Sequence, residues 1–106
     1  MVNGRTRERC MFAVAPKETE IVANWDEANL YCAFLEVDGR NDWRLPTKEE
    51  LNEIYESDND FQKSYYWSST ESNGNDAWNQ NVYNGGQKFN GKNYNGCYVR
   101  AVRSLS

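Results

Sequence analysis

The sequence predicts an α+β domain with its helices in the first half and its strands crowded into the second. Three observations carry that expectation. Two helix-start signatures, Asn24-Trp25-Asp26-Glu27 and Thr47-Lys48-Glu49-Glu50, stand before apolar residues at helical spacing. After Tyr65 the texture turns β-prone and alternating, in YYWSS, AWNQNVY and YVRAVR. Across the chain, 4 Trp, 7 Tyr and 4 Phe accompany a hydrophobic class of only 39%, so aromatic side chains must furnish much of the core. With 106 residues there is room for one such core, and a single domain over residues 1–106 is expected.

The first element is expected as a strand over Arg9 to Ala15 (RCMFAVA), ended by Pro16. Asn24 then caps a helix, with Glu27 in the reciprocal position of a capping box. Ala28, Tyr31, Cys32 and Leu35 recur at i, i+3, i+4 and i+7, so this helix buries one stripe, runs to about Val37 and stops at Gly39. Cys32 on that stripe reads as a small buried hydrophobe. Thr47 and Glu50 open the second helix, which turns Leu51, Ile54 and Tyr55 inward and Glu49, Glu50, Glu53 and Glu56 toward water. The acidic run from Glu49 to Asp60 reads as a solvated face. A calcium loop needs alternating oxygen ligands and a turn glycine, and Asp58-Asn59-Asp60 has neither that length nor that glycine.

Strands are expected at Tyr65 to Ser69, Ala77 to Tyr83 and Tyr98 to Arg103, the last placing Val99 and Ala101 on one side and Arg100 and Val102 on the other. Trp43, Leu45 and Trp67 read as core anchors. Arg44 reads as a tie between loops through bidentate bonds to carboxylate or carbonyl oxygens, with anion binding as its functional alternative, and Ser68-Ser69-Thr70 as strand-end hydrogen bonders.

Composition removes several function classes. Lys and Arg number 12 against 16 Asp and Glu, a net charge of -4, which argues against holding a nucleic acid backbone. There is no His, so the commonest general base, the Ser/His and Cys/His nucleophile pairs and most transition-metal sites are missing. Cys10, Cys32 and Cys97 are odd in number and widely spaced, form no CxxC motif or zinc site, and lead us to expect no required disulfide. Cys10 to Pro16, the longest uncharged apolar run, is far short of the roughly 20 residues that span a bilayer, so membrane insertion is not expected. No basic segment followed by an apolar core opens the chain, as expected of a protein that stays where it is made or of an excised mature domain.

The informative stretch lies between Asn73 and Gly96, where 24 residues hold 8 Asn and 5 Gly interleaved with Trp78, Tyr83, Phe89 and Tyr94. Asn and Gly favour turns, and Asn84-Gly85 and Asn95-Gly96 are the expected tight corners. Tyr with Asn, Ser and Gly is also the composition of a recognition surface, since Tyr gives rigid amphipathic area and the small polar residues give adaptable hydrogen bonds. Turns account poorly for Asn79 and Asn81, which alternate beside Trp78 and Val82 and are expected to point outward from one strand face.

Four ordered strings, GRNDWRLPTKEEL (Gly39 to Leu51), YYWSSTES (Tyr65 to Ser72), AWNQNVYNGG (Ala77 to Gly86) and YVRAVR (Tyr98 to Arg103), together resemble the Lcl C-terminal domain family of bacterial proteins over roughly residues 24–103. The resemblance implies a C-type-lectin-like fold, in which two helices pack on a small, twisted, mostly antiparallel sheet with long ligand-binding loops. Residues 24–72 would form its helical half and residues 73–103 its Asn/Gly-rich binding half. The family is similar to the formylglycine-generating enzymes, which carry a catalytic thiol just after an aromatic-Arg dipeptide near the C-terminal strand. Here Val99-Arg100 is followed by Ala101, so catalysis is not expected. Calcium-dependent sugar-binding lectins use a loop proline and a Trp-Asn-Asp strand. In this chain Trp78-Asn79 is followed by Gln80, and the prolines are Pro16 and Pro46.

The sharpest likeness is to variable proteins of diversity-generating retroelements, whose Asn-rich repeat is rewritten at adenines while scaffold positions stay fixed. That resemblance implies that Trp78, Gly85, Val99 and Arg100 are scaffold, and that Tyr83, Tyr94 and Cys97 are rewritten Asn positions. It implies a non-enzymatic ligand-binding module in which Asn73, Asn75, Asn79, Asn81, Tyr83, Asn84, Asn90, Asn93, Tyr94 and Asn95 contact a protein or glycan. No cofactor, metal or nucleic acid is expected, and a surface-displayed, secreted or virion-associated location is. The alternative is a fixed adhesive or structural domain of a bacterial envelope or secreted protein.

Overall fold

The computed structural model describes residues 12–57 and 60–105. In chain order the elements are β1 (Phe12–Val14), a 3-10 turn (Lys17–Thr19), β2 (Ile21–Ala23), α1 (Trp25–Phe34), α2 (Lys48–Ser57), β3 (Tyr65–Glu71), β4 (Asp76–Asn81), β5 (Gln87–Gly91), β6 (Cys97–Val99) and β7 (Val102–Ser104). The α+β class expected from the sequence is therefore the class observed. Five strands form one sheet in the order β2-β6-β3-β4-β5, and β1 with β7 forms a second, two-stranded one. All pairings are antiparallel except β3 with β6. Cys10 and the N-terminal part of the strand expected over Arg9 to Ala15 lie outside the described residues, as do Asp58 and Asn59.

Successive strand residues point to opposite faces, and here each face has its own core. Trp67 pairs with Asn79 and Tyr66 with Gln80, which sends Trp67 to one side and Tyr66 to the other. The first side packs Trp67, Ala77, Cys97 and Val99 against Ala28 and Cys32 of α1, with Trp43, Leu45 and Ala101. The second packs Tyr66, Val82 and Val102 against Leu51 and Ile54 of α2, with Phe12 and Phe61. Trp43, Leu45 and Trp67 are buried core residues, as expected.

The capping box of α1 forms in full: the Glu27 amide donates to Asn24 Oδ1 at 2.8 Å, and the Asn24 amide to Glu27 Oε1 at 3.5 Å. The end of this helix differs from the expectation. It closes at Phe34, with Leu35 already extended (φ -69, ψ 135), rather than near Val37. Gly39 does not cap it. Val37 and Arg40 exchange backbone bonds of 3.0 and 2.9 Å around Asp38 and Gly39, whose φ values of 56° and 74° make a two-residue Asp-Gly hairpin turn.

At the start of α2 the Glu50 amide donates to Thr47 Oγ1 (3.1 Å) and the Thr47 amide to Glu50 Oε1 (2.9 Å). Glu50 does not face water as the pattern suggested. The Arg44 guanidinium grips it with two bonds of 2.7 and 2.9 Å and also donates to Leu45 O and Ser104 Oγ, so Arg44 ties β7 to the helix entry.

The strand expected over Tyr98 to Arg103 is divided between two sheets, β6 and β7. Arg100, only 4% exposed, occupies the break. Its guanidinium donates to Ala15 O (2.7 Å), Glu20 Oε2 (2.7 Å), Asp60 O (3.1 Å) and Asp60 Oδ2 (3.2 Å). A buried guanidinium must satisfy its donors, and doing so turns the chain out of one sheet and into the other. The expected sidedness survives, since Val99 and Ala101 join the first core and Val102 the second.

Candidate binding surface

Hairpin connections set where the Asn-rich residues lie. Antiparallel neighbours put consecutive corners at opposite ends of the sheet, and the six residues of β4 (Asp76–Asn81) separate those ends by about 20 Å. At one end the corner after β3 meets the corner after β5. The Lys92 amide donates to Asn75 O (2.9 Å), Lys92 Nζ to Gly74 O (3.1 Å), and the Trp25 amide to Lys92 O (2.9 Å). At the other end lies the corner Val82 to Gly86, with Tyr83 71% exposed.

The first end holds a groove of about 450 Å³ lined by Asp26, Gly74, Asn75, Asp76, Gly91, Lys92 and Asn93. It offers two carboxylates and two side-chain amides. The Lys92 ammonium is already committed, lying 3.4 Å from a Glu71 carboxylate oxygen and 4.4 Å from the centre of the Trp25 ring. Asn75 and Asn93 are exposed, as are Tyr94 and Asn95. This corner also corrects an expectation: the tight turn is at Lys92-Asn93, closed by the Tyr94 amide on Gly91 O at 3.0 Å, and not at Asn95-Gly96. The Tyr94 ring rests on Gly96, where any side chain would collide with it.

Several of the predicted contact residues work within the chain. Asn73 Oδ1 accepts from the amides of Asn75 (2.8 Å) and Asp76 (3.0 Å), and Asn73 Nδ2 donates to Asp76 Oδ2 (3.2 Å). Asn81 Oδ1 accepts from the Tyr83 amide (2.8 Å) and Asn84 Oδ1 from the Gly86 amide (2.9 Å). These are side-chain-capped turns, so turns explain Asn81 as well as they explain Asn84. The corner at Asn84-Gly85 is wider than the tight turn expected: the Asn81 amide donates to Gly86 O (2.8 Å) and the Gly85 amide to Asn81 O (2.7 Å), so Val82 to Gly85 form the loop, with Gly85 at φ 81°.

Asn79 departs furthest from the expectation. It is 1% exposed, not outward, because its register opposite Trp67 puts it on the face that carries the first core. Its Nδ2 donates to Asn90 Oδ1 at 2.7 Å, and its own Oδ1 has no hydrogen-bond partner among the described residues. Asn90 is half-buried in that pair. The ten predicted residues therefore divide into Asn73, Asn75, Asn93, Tyr94 and Asn95 at one end, Asn81, Tyr83 and Asn84 at the other, and the Asn79–Asn90 pair between them.

Asp26, Asp76 and Lys92 line the groove without having been singled out from the sequence. Asp26 carried only the signal of a helix first turn, and nothing marked Asp76 or Lys92. Along the sheet from the groove, Asn81 and the ammonium of Lys88 lie beside Tyr65, whose ring centre is 4.7 Å from Lys88 Nζ. They hold the Tyr65 phenol below its ordinary pKa. Burial pushes the thiols of Cys32 and Cys97 up to about 12, which keeps both protonated at neutral pH. Among the described residues no three His, Cys, Asp or Glu side chains are grouped to hold a metal ion. No helix among them is long and apolar enough to cross a membrane.

Fold and site together define a small α+β domain whose internally bonded scaffold carries polar, Asn-rich hairpin corners. The model of the Lcl C-terminal domain family matches residues 5–103, and the chain belongs to that family. No curated protein matches it.

Proposed function

We propose that this domain is a non-enzymatic ligand-binding module with a C-type-lectin-like fold, and that its Asn/Tyr corners contact a protein or glycan as the variable surface of a diversity-generating retroelement protein. The observation that carries the reading is a division of labour. Trp67, Arg44 and Arg100 are consumed by internal bonds and packing, while Asn75, Tyr83, Asn93 and Tyr94 face solvent and spend no side-chain hydrogen bond within the described residues. Such positions accept substitution without loss of the fold, which is what a rewritten surface requires. The groove's amides and carboxylates suit hydroxyl and amide groups of a ligand. A surface-displayed, secreted or virion-associated location follows from the same reading.

A fixed adhesive domain is the second reading, favoured by the turn-capping roles of Asn73, Asn81 and Asn84, since an Asn that holds its own corner is not free to vary.

Two measurements test the proposal. Protein and glycan arrays identify a partner of the wild type, and the combined variant Asn75→Ala, Tyr83→Ala, Asn93→Ala is expected to keep its melting temperature while losing that partner. Retained binding by the folded variant would sink the assignment of the surface. In the genome, a near-copy of the stretch encoding Asn73 to Arg103 that differs only at adenines is expected beside a reverse transcriptase gene. Its absence would leave the fixed adhesive reading.

A further inference from the structure

Helix α1 has a second apolar face that the core does not use. Ala28 and Cys32 point into the sheet, whereas Leu30 and Phe34 are 60% and 79% exposed. Residues four apart lie one above the other on a helix, so these two form one patch. Together with Tyr31 and Leu35 they line a groove of about 440 Å³ that also includes Glu27 and Glu36. Scattered exposed apolar side chains are ordinary on a protein surface, whereas Leu30 and Phe34 adjoin each other over one groove, an arrangement suited to a contact.

Charge indicates what the contact is with. Between Trp25 and Asp38 the chain carries Asp26, Glu27, Glu36 and Asp38 and no Lys or Arg. None of these four carboxylates joins an ion pair among the described residues. The last turn of α1 has no basic residue, although the negative end of a helix dipole favours a cation there. The nearest basic residue in sequence, Arg40, lies across the Asp38-Gly39 turn, paired through its backbone with Val37, and forms no ion pair with these carboxylates among the described residues. A second copy of this face would set carboxylates against carboxylates, an arrangement that interfaces avoid. An amphipathic helix with Lys and Arg flanking its apolar stripe matches both the floor of the groove and its acidic border.

We propose that this groove docks a basic amphipathic helix of a partner protein, seating apolar side chains on Leu30 and Phe34 and cations against Glu27 and Glu36. The apolar end of this surface, at Leu30 and Phe34, is separate from the Asn-rich corners, which α1 approaches at Trp25 and Asp26. The α1 residue bonded to the corner after β5 is Trp25, and Phe34 lies about 13 Å further along the helix axis. The proposal thus stands whether or not those corners bind a ligand.

The probe is a fluorescent Leu/Lys peptide of about 14 residues, with Leu at i, i+3, i+4 and i+7, titrated with the full chain by anisotropy and mapped by amide NMR. Binding is expected with shifts confined to α1, weakened about tenfold or more by Leu30→Ser with Phe34→Ser, because each buried apolar side chain contributes on that scale. Glu27→Gln with Glu36→Gln is expected to weaken it less and to reduce its salt dependence. Both pairs change exposed or half-exposed side chains, and an unchanged melting temperature verifies their fold. Undiminished binding by the Leu30→Ser, Phe34→Ser variant would overturn the proposal, as would equal binding of a matched Leu/Glu peptide. Concentration-dependent dimerisation lost in that same variant would assign the groove to a second copy and overturn it too. The Asn75, Tyr83, Asn93 variant is expected to bind the peptide as the wild type does. Loss of the peptide there would move its site to the corners.

Discussion

At the residue scale, the described residues bury one ion pair, Arg100 with Glu20, in which both side chains are almost wholly out of water. Arg100 and Glu20 have side chains only 4% and 6% exposed and meet at 2.7 Å, with the Tyr66 hydroxyl donating to the same Glu20 oxygen at 2.7 Å. Removing one partner of such a pair strands the other, at about 3–5 kcal/mol. Arg100→Met is expected to cost that much in urea unfolding, and Arg100→Met with Glu20→Gln to cost less, because no unpaired charge then remains buried. A single-variant loss under about 1 kcal/mol would show that water reaches the site. Glu50 gives a pH-dependent counterpart. Burial raises its pKa, but the Arg44 guanidinium and the Thr47 amide and hydroxyl outweigh that and hold it below the ordinary value. A carboxyl lowered in the folded state stabilises above its unfolded pKa of about 4.3, and that contribution is lost as pH falls through the folded value. The advantage of wild type over Glu50→Gln in melting experiments is therefore expected to shrink between about pH 6 and about pH 3, and a constant gap would refute the assignment. Arg44 was legible as a bidentate tie. The burial of Arg100 was not, since YVRAVR reads as simple alternation until Glu20 and Asp60 are brought to it.

At the element scale, local signals with a stereochemical cause were readable and those needing a tertiary partner were not. Both capping boxes form where the sequence places them, because Asn24 to Glu27 and Thr47 to Glu50 are satisfied within four residues. The end of α1 is not legible because the apolar spacing continues through Leu35 although the backbone does not, and Gly39, expected to stop the helix, sits instead with Asp38 in a hairpin turn. Gly85 shows local and tertiary demands at one position. Its φ is 81°, and a Cβ there would lie 2.6 Å from the Tyr55 ring. Gly85→Ala is expected to cost about 1–3 kcal/mol, combining the left-handed backbone with displacement of that ring. Gly86→Ala, next in the chain, would meet only the Asn84 amide at 3.1 Å and is expected to cost under about 1 kcal/mol by the same measurement. Equal losses would show that the Tyr55 contact and the backbone conformation contribute little.

At the scale of the whole molecule, the question is which Asn residues the scaffold can release. The sequence separates Asn79 and Asn81 on a strand from Asn84 and Asn95 at corners, but alternation alone does not say which strand face is buried. Register sorts them: one step along β4 separates the face that carries the first core from the other, and places Asn79 inside against Asn90 while the corner residues stay outside. A buried pair with one amide oxygen lacking a partner among the described residues is sensitive to replacement, since a larger or charged side chain has neither space nor partners there. A library randomised at Asn75, Tyr83, Asn93, Tyr94 and Asn95 is therefore expected to retain mostly folded members. A library of equal size that also randomises Asn79 and Asn90 is expected to lose most of them, scored by protease resistance of displayed variants. Equal survival would mean that the buried pair is as replaceable as the corners, and the division between scaffold and surface would then have to be drawn elsewhere. Unequal survival would mean that variation at Asn79 is confined to side chains that Asn90 and Trp67 can accommodate, leaving recognition to the two ends of the sheet.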